Sequence, residues 1–252
     1  MTVAIHGLGV HLPPQIRTND WWPAEIVDRW MAARQRRAHD PPPDNLTAGQ
    51  RLVLEAMASY ADDPFNGSTQ RHVLAADQLP SDMQVLAARE AMERADVGPT
   101  DVDFVLEYST CPDYLLNPNS CVVHSKLGLP SRCLTLSMHG ECNAFMHQMH
   151  LAQRLLASGY RRGLLLQSAT LSRIVSREAP FSPWCGDGAT AVVVGPPQRE
   201  GQGLIADAHR TDSSLHTGLV AGVRGASFWT DTGKTESCLV GTTKTQGMGS
   251  KV

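Results

Sequence analysis

The sequence predicts an α/β fold in which a sheet is covered by helices on both faces, and three observations carry that expectation. Strand-like and helix-like runs alternate along most of the 252 residues. The strand runs are apolar throughout instead of alternating with polar residues, the pattern of strands buried on both sides. Residues 134–158, LTLSMHGECNAFMHQMHLAQRLLAS, pass from an apolar strand through a glycine turn into a helix with a broad apolar stripe. The chain is long enough to bury a sizeable core, as one large domain or two small ones.

Taken in order, residues 3–10 form a short apolar run ending in Gly7-Leu8-Gly9, with Pro13-Pro14 beyond it, and read as the first strand leading into a loop. Asp20 caps a helix with Pro23 in its first turn. Ile26, Val27, Trp30 and Met31 give that helix its apolar face, and Pro41-Pro42-Pro43 stops the chain. Residues 47–60 make a second helix from a threonine cap, carrying Leu52, Leu54, Ala56 and Met57, and a polar loop occupies 62–68. Ser81 caps a third helix reaching Ala95, with Met83, Leu86, Ala87, Ala91 and Met92 turned inward and Val97-Gly98-Pro99 closing it. A strand at 102–108, a loop at 112–118, a short helix at 119–127 and a strand at 133–138 follow. After the helix of the opening stretch, 163–167 and 189–194 are continuous apolar runs, and 204–208 reads as one more strand. From Thr230 onward Thr, Gly, Lys and Ser dominate, so an irregular tail is expected.

With 42% hydrophobic and 19% charged residues and a formal net charge of −3, the composition is that of an ordinary soluble globular protein. The one dense basic cluster, Arg34-Gln35-Arg36-Arg37, reads as a cationic helix C-terminus, and the footprint of a nucleic-acid binder is missing. No cationic region precedes the first apolar run, which is too short for a secretory signal or a membrane span, so a cytoplasmic location is expected. The six cysteines, at 111, 121, 133, 142, 185 and 238, form no Cys-x-x-Cys pair and are expected as free thiols.

Cys142 sits where the central helix begins. The unsatisfied N–H groups and positive dipole end of a first helical turn favour thiolate, the nucleophilic form. The alternative is a cysteine used as a small buried hydrophobe. Among nearby histidines, His139 in the preceding turn is the one placed to serve as a base, although a turn residue bonded to backbone is the plainer reading. His147, five residues on, points to a different side of the helix, and His150, eight residues on, is two turns away. They share a face at i and i+3, but no carboxylate completes a familiar ligand spacing, and no metal is expected. Asp187, between two glycines, reads as a turn aspartate that satisfies backbone N–H groups.

Three stretches in order carry a family resemblance: SMHGECNAF, SGYRRGLLLQSATLSR and PWCGDGATAVVVG. VAIHGLGVHLPP, SDMQVLAAREAMERADVGPTDVDFVL and NPNSCVVHSKLGLP support it. The series resembles the β-ketoacyl-acyl-carrier-protein synthase III branch of the thiolase superfamily over residues 1 to about 220. The resemblance implies a thiolase-like layered fold, two copies of a half each built on a mixed five-stranded sheet with helices, paired as a homodimer. It places residues 1–197 as the complete first half, 198–229 as opening strands of a truncated second half, and 230–252 as tail. It implies Cys142 as the nucleophile that takes an acyl group from coenzyme A or an acyl carrier protein, with no cofactor beyond that thioester substrate. Leu116 falls where the family often has an aromatic residue that closes the partner's acyl pocket, and so implies substrate binding. The lengths of the first two helices are similar to those of members from secondary metabolism.

The resemblance also implies a catalytic histidine, an asparagine or aspartate and an oxyanion-hole glycine from the second half, and this sequence is expected to stop before them. Glu141 replaces a small apolar residue beside the nucleophile, a carboxylate that opposes the helix dipole. The tryptophan and arginine that many coenzyme-A-using members present near 62–67 are not evident, which makes a carrier protein as good a candidate donor as coenzyme A. The first expectation is therefore an acyltransferase or condensing enzyme that self-acylates slowly and turns over poorly. The alternatives are a non-catalytic partner of a full-length homologue and a truncated product.

Overall fold

A computed structural model describes residues 2–38, 45–114, 116–214, 219–223 and 237–241. Its elements in chain order are β1 (Ala4–His11), β2 (Gln15–Thr18), α1 (Ala24–Ala38), α2 (Ala48–Ala58), β3 (Gln70–Val73), α3 (Pro80–Arg94), β4 (Phe104–Ser109), α4 (Asn119–Leu127), β5 (Leu134–Ser137), α5 (Ala144–Ala157), β6 (Gly163–Thr170), α6 (Leu171–Ile174), β7 (Asp187–Gly195), β8 (Leu219–Val223) and β9 (Ser237–Gly241). Five strands form one mixed sheet in the order β1-β7-β6-β4-β5. β4 runs parallel to β5 and β6, while β7 is antiparallel to both β6 and β1.

The continuous apolar runs are explained by cores on both faces. On β4, Val105 joins Met83, Ala87 and Ala91 of α3 and Val123 of α4, whereas Phe104 and Leu106 join Met149, Ala152 and Leu156 of α5. β6 alternates the same way, Leu164 and Leu166 toward α3 and Leu165 toward α5. These two central strands therefore need apolar residues at odd and even positions alike. β1 lies close under α3 because Gly7 and Gly9 have no side chain: a Cβ at either would strike the carbonyl oxygens of Ala91 and Ala87.

Several expectations change. α3 starts at Pro80, a residue suited to the first helical position, and Ser81 lies inside the helix, where its hydroxyl donates to Asp113 Oδ2 at 2.5 Å. Leu86, expected inward, is exposed. Thr47 and Gln50 form a capping box for α2, yet no residue of α2 is buried and Leu52, Val53, Leu54 and Met57 are exposed. Residues 204–208 are not a strand; Leu204 N–H donates to Val3 O at 2.9 Å and residues 205–213 are coil. β2 and β3 pair antiparallel as a small separate sheet that the sequence does not announce, because QIRT and QRHV are short and polar. Within 230–252, Ser237–Gly241 form β9, which pairs antiparallel with β8, and the rest of that stretch lies outside the described residues, as does Pro41-Pro42-Pro43.

Candidate active site

Cys142 lies in a 3-10 turn, Glu141–Asn143, between the end of β5 and the start of α5. Met138 N–H donates to Glu107 O at 2.7 Å, and Asn143 N–H closes the turn on Gly140 O at 2.8 Å. Glu141 adopts a left-handed backbone, φ 46°, a region that non-glycine residues rarely occupy. Its side chain is held from below: the Tyr108 hydroxyl on β4 donates to Glu141 Oε2 at 2.6 Å. Burial, the hydrogen bond to Glu141 and the negative charge beside it push the Tyr108 phenol well above its ordinary range, so it remains a donor. The carboxylate next to Cys142 is thereby engaged with Tyr108. Gly140 has no room for a side chain, since a Cβ there would come within 2.9 Å of both Ala144 Cα and His147 Nδ1. His147, which its helical offset points elsewhere, thus lies over the same turn.

The floor of the turn is a buried polar network. Glu107 on β4, 1% exposed, accepts from Ser137 Oγ at 2.7 Å, Gln84 Nε2 at 2.8 Å and Asn119 Nδ2 at 3.4 Å. Asn119 Nδ2 also donates to Gln84 Oε1 at 3.0 Å, and Gln84 Nε2 to Tyr108 O at 3.1 Å. Four elements, α3, β4, α4 and β5, meet here. Burial raises the Glu107 carboxyl above the usual range, against the three hydrogen bonds that lower it. Sequence reasoning passed over this residue; the available signal was a single acid inside an otherwise apolar strand.

Exposure separates the thiols. Burial pushes Cys111 and Cys185 above ordinary thiol values and Cys133 up to about 11. Cys111, Cys121, Cys133, Cys142 and Cys185 are free, and of these five only Cys121 and Cys142 are exposed. His139 is exposed between β5 and the turn, and among the described residues no hydrogen bond joins it to Cys142. Leu116 is 88% exposed on the loop before α4. That loop is anchored by Asp113, which accepts the Ser81 N–H at 3.0 Å and whose own N–H donates to Asn119 Oδ1 at 3.0 Å. Asp187 is buried at the start of β7 and accepts the N–H of Leu74 at 2.8 Å and of Ser172 at 3.0 Å.

Two groupings were invisible to local spacing. Tryptophan and arginine do reach segment 62–67, from elsewhere in the chain: Trp184 Nε1 donates to Phe65 O at 3.4 Å, and Arg34 donates to Asp63 O and Asn66 Oδ1, each at 2.9 Å. The carboxylate that His147 and His150 lacked is also supplied, since Asp207 and His209 fold back against His150.

Residues 136–213, which include the Cys142 turn, match the family described as 3-Oxoacyl-[acyl-carrier-protein (ACP)] synthase III. A beta-ketoacyl-[acyl-carrier-protein] synthase III of Thiobacillus denitrificans is 34% identical over 132 residues, 51% of this chain and 41% of that protein. A solved 3-oxoacyl-(acyl-carrier-protein) synthase III superposes with a TM-score of 0.63 at 25% identity, over 87% of this chain and 58% of its own. The synthase III FabH of Pseudomonas aeruginosa PAO1 gives 0.64 at 23% identity, over 88% and 61%. The sequence thus spans about two fifths to three fifths of the length of these relatives.

Proposed function

For a chain that is β-ketoacyl-acyl-carrier-protein synthase III-like in sequence and thiolase-like in fold, we propose acyl transfer through a covalent thioester on Cys142. The observation that supports it is the position of Cys142, an exposed thiol in a hydrogen-bonded turn at the head of α5, while the thiols of Cys111, Cys133 and Cys185 are pushed up by burial. The Cys142 thiolate attacks the carbonyl of an acyl-coenzyme A or acyl-carrier-protein thioester, a carbon–sulfur bond forms, and the donor thiol leaves. Backbone N–H groups of the first turn of α5, which have no partner within the helix, are suited to hold the oxyanion. The acyl group then passes to a carrier-bound or small-molecule acceptor. A malonyl acceptor loses carbon dioxide as the carbon–carbon bond forms, whereas an alcohol or amine gives plain acyl transfer. His139 is the proposed base and Leu116 a proposed contact for the acyl group. Residues 1–197 act as the nucleophile-bearing half, in a cytoplasmic protein of secondary metabolism. Among the described residues no helix is long and apolar enough to cross a membrane.

A second reading, a non-catalytic subunit paired with a homologue, draws on a different observation. β5 is an edge strand, and Leu134 and Leu136 on it are exposed, as is Leu116 on the loop before α4. The same edge suits pairing with an identical chain.

Intact-protein mass after incubation with acyl-coenzyme A and acyl-carrier thioesters tests the first reading. An acyl adduct on the native chain and on Cys111→Ala, absent from Cys142→Ala, is the expected result. Failure of every donor to form an adduct overturns the acyl-enzyme reading and leaves the subunit reading, which native mass spectrometry of the chain mixed with a full-length homologue then tests.

A further inference from the structure

We propose that His150, Asp207 and His209 form a binding site for a divalent transition cation, with Zn2+ as its natural probe. The three side chains converge from distant parts of the chain. His150 is fixed in the middle of α5, while Asp207 and His209 come from the coil that follows β7. That coil is tethered just upstream, where Leu204 N–H donates to Val3 O at 2.9 Å and Thr2 Oγ1 donates to Leu204 O at 2.6 Å. Asp207 and His209, two residues apart in that coil, both bring their side chains to His150.

The donor geometry fits a metal. His150 Nδ1 and Asp207 Oδ2 are in direct contact, His209 Nε2 lies 3.0 Å from His150 Nδ1 and 3.2 Å from Asp207 Oδ2. The three ligand atoms lie within 4.8 Å of one another. Ligands about 2.0–2.1 Å from a tetrahedral Zn2+ stand about 3.3 Å apart, so the cluster needs only a slight opening to admit the ion. The two imidazole rings meet edge to face, centroids 4.3 Å apart and planes at 74°, which lets each present a nitrogen to a common point without the rings colliding. Two imidazoles and one carboxylate select late first-row cations over Mg2+ and Ca2+, which require oxygen cages. Three protein ligands leave a coordination position open to water or an exogenous anion.

The groups are also accessible. The side chains of His150, Asp207 and His209 are 35%, 24% and 45% exposed, so an ion reaches them without unfolding. His147 stands next to the cluster, its ring centroid 6.4 Å from that of His209. Because His147 also covers Gly140, an ion here would bind one residue-shell away from the Cys142 turn. It would also pin the coil after β7 onto α5, which among the described residues is otherwise held to the body near Val3.

The test uses the full chain, freed of metal by chelation and titrated with Zn2+ alone, with stoichiometry read by native mass spectrometry and affinity by calorimetry. One Zn2+ per chain is expected, with binding weakened more than about tenfold by Asp207→Asn and by His209→Ala. His11→Ala, a histidine outside the cluster, should bind as the native chain does. Co2+ should give a visible absorption spectrum on the native chain that both ligand variants lose, and circular dichroism confirms that these exposed substitutions leave the fold intact. No stoichiometric binding, binding unchanged in both variants, or binding abolished only when the thiols are alkylated would each overturn the proposal.

Discussion

Helices α2 and α3 teach different lessons from similar raw material. Both begin with a clear signal, a threonine–glutamine capping box for α2 and a proline in the first turn for α3. Both carry apolar side chains at helical spacing. α3 packs Met83, Ala87, Ala88, Ala91 and Met92 onto the sheet, and two glycines on β1 let its backbone settle close. α2 buries nothing among the described residues, and its leucines face outward. An amphipathic pattern specifies a helix with a face available for burial; only a second surface shaped to receive it converts that face into stability.

The sharpest way to break this comparison is to truncate the α3 side. Met83 is 1% exposed in the core between α3 and the sheet, so Met83→Ala should lower stability by about 2–5 kcal/mol, read as a large drop in Tm by circular dichroism. A Tm that barely moves would mean that α3 is not held by burial against the sheet. Next comes the interface itself: Gly9→Ala places a methyl group against the Ala87 carbonyl and should cost about 1–3 kcal/mol, measured the same way.

A smaller, pH-dependent effect should come from Glu107, which couples α3 to the floor of the Cys142 turn. Its carboxyl is raised by burial, so the folded state favours the neutral acid. Its contribution to stability is complete below the ordinary glutamate range and is lost as pH rises through the raised value. Glu107→Gln keeps an acceptor for Gln84 and Asn119 and carries no titratable proton. A profile of Tm against pH should therefore decline through that window in the native chain and be flatter in the variant; parallel profiles would remove Glu107 from the argument. The smallest effect is expected on α2, where Leu52→Gln exchanges one good helix former for another on an exposed face and should shift stability by no more than about 0.5 kcal/mol. A loss comparable to that of Met83→Ala would mean that α2 has a buried contact after all.

The sheet strands were legible because their signal is local and redundant. A strand packed on both faces needs apolar residues at successive positions, and residues 104–106, 164–166 and 191–194 supply them. α4 was placed at 119–127, its observed bounds. β2 and β3 escaped because four-residue runs with one apolar residue each have no periodicity to read, and their pairing joins segments more than 50 residues apart. Leu86 was misplaced because it satisfies the helical spacing of its neighbours while lying just off the face that meets the sheet. At the candidate site, the position of Cys142 ahead of α5 was readable from a strand, a glycine turn and a helix. What surrounds it was not, since Tyr108 and Glu107 belong to β4 and meet the turn only because β4 and β5 are parallel neighbours.

By itself the sequence determined the class of fold, the run of its main elements and the cysteine at the head of α5, because periodicity, capping residues and glycine turns act over a few residues. The tertiary structure decided which groups share a space. It engaged Glu141 with Tyr108, laid His147 over Gly140, brought Trp184 and Arg34 to segment 62–67, and set Asp207 against His150 across 57 residues of chain. The physical reason is that such convergences depend on strand order and on where a coil is tethered, and neither leaves a mark on the spacing of residues along the chain.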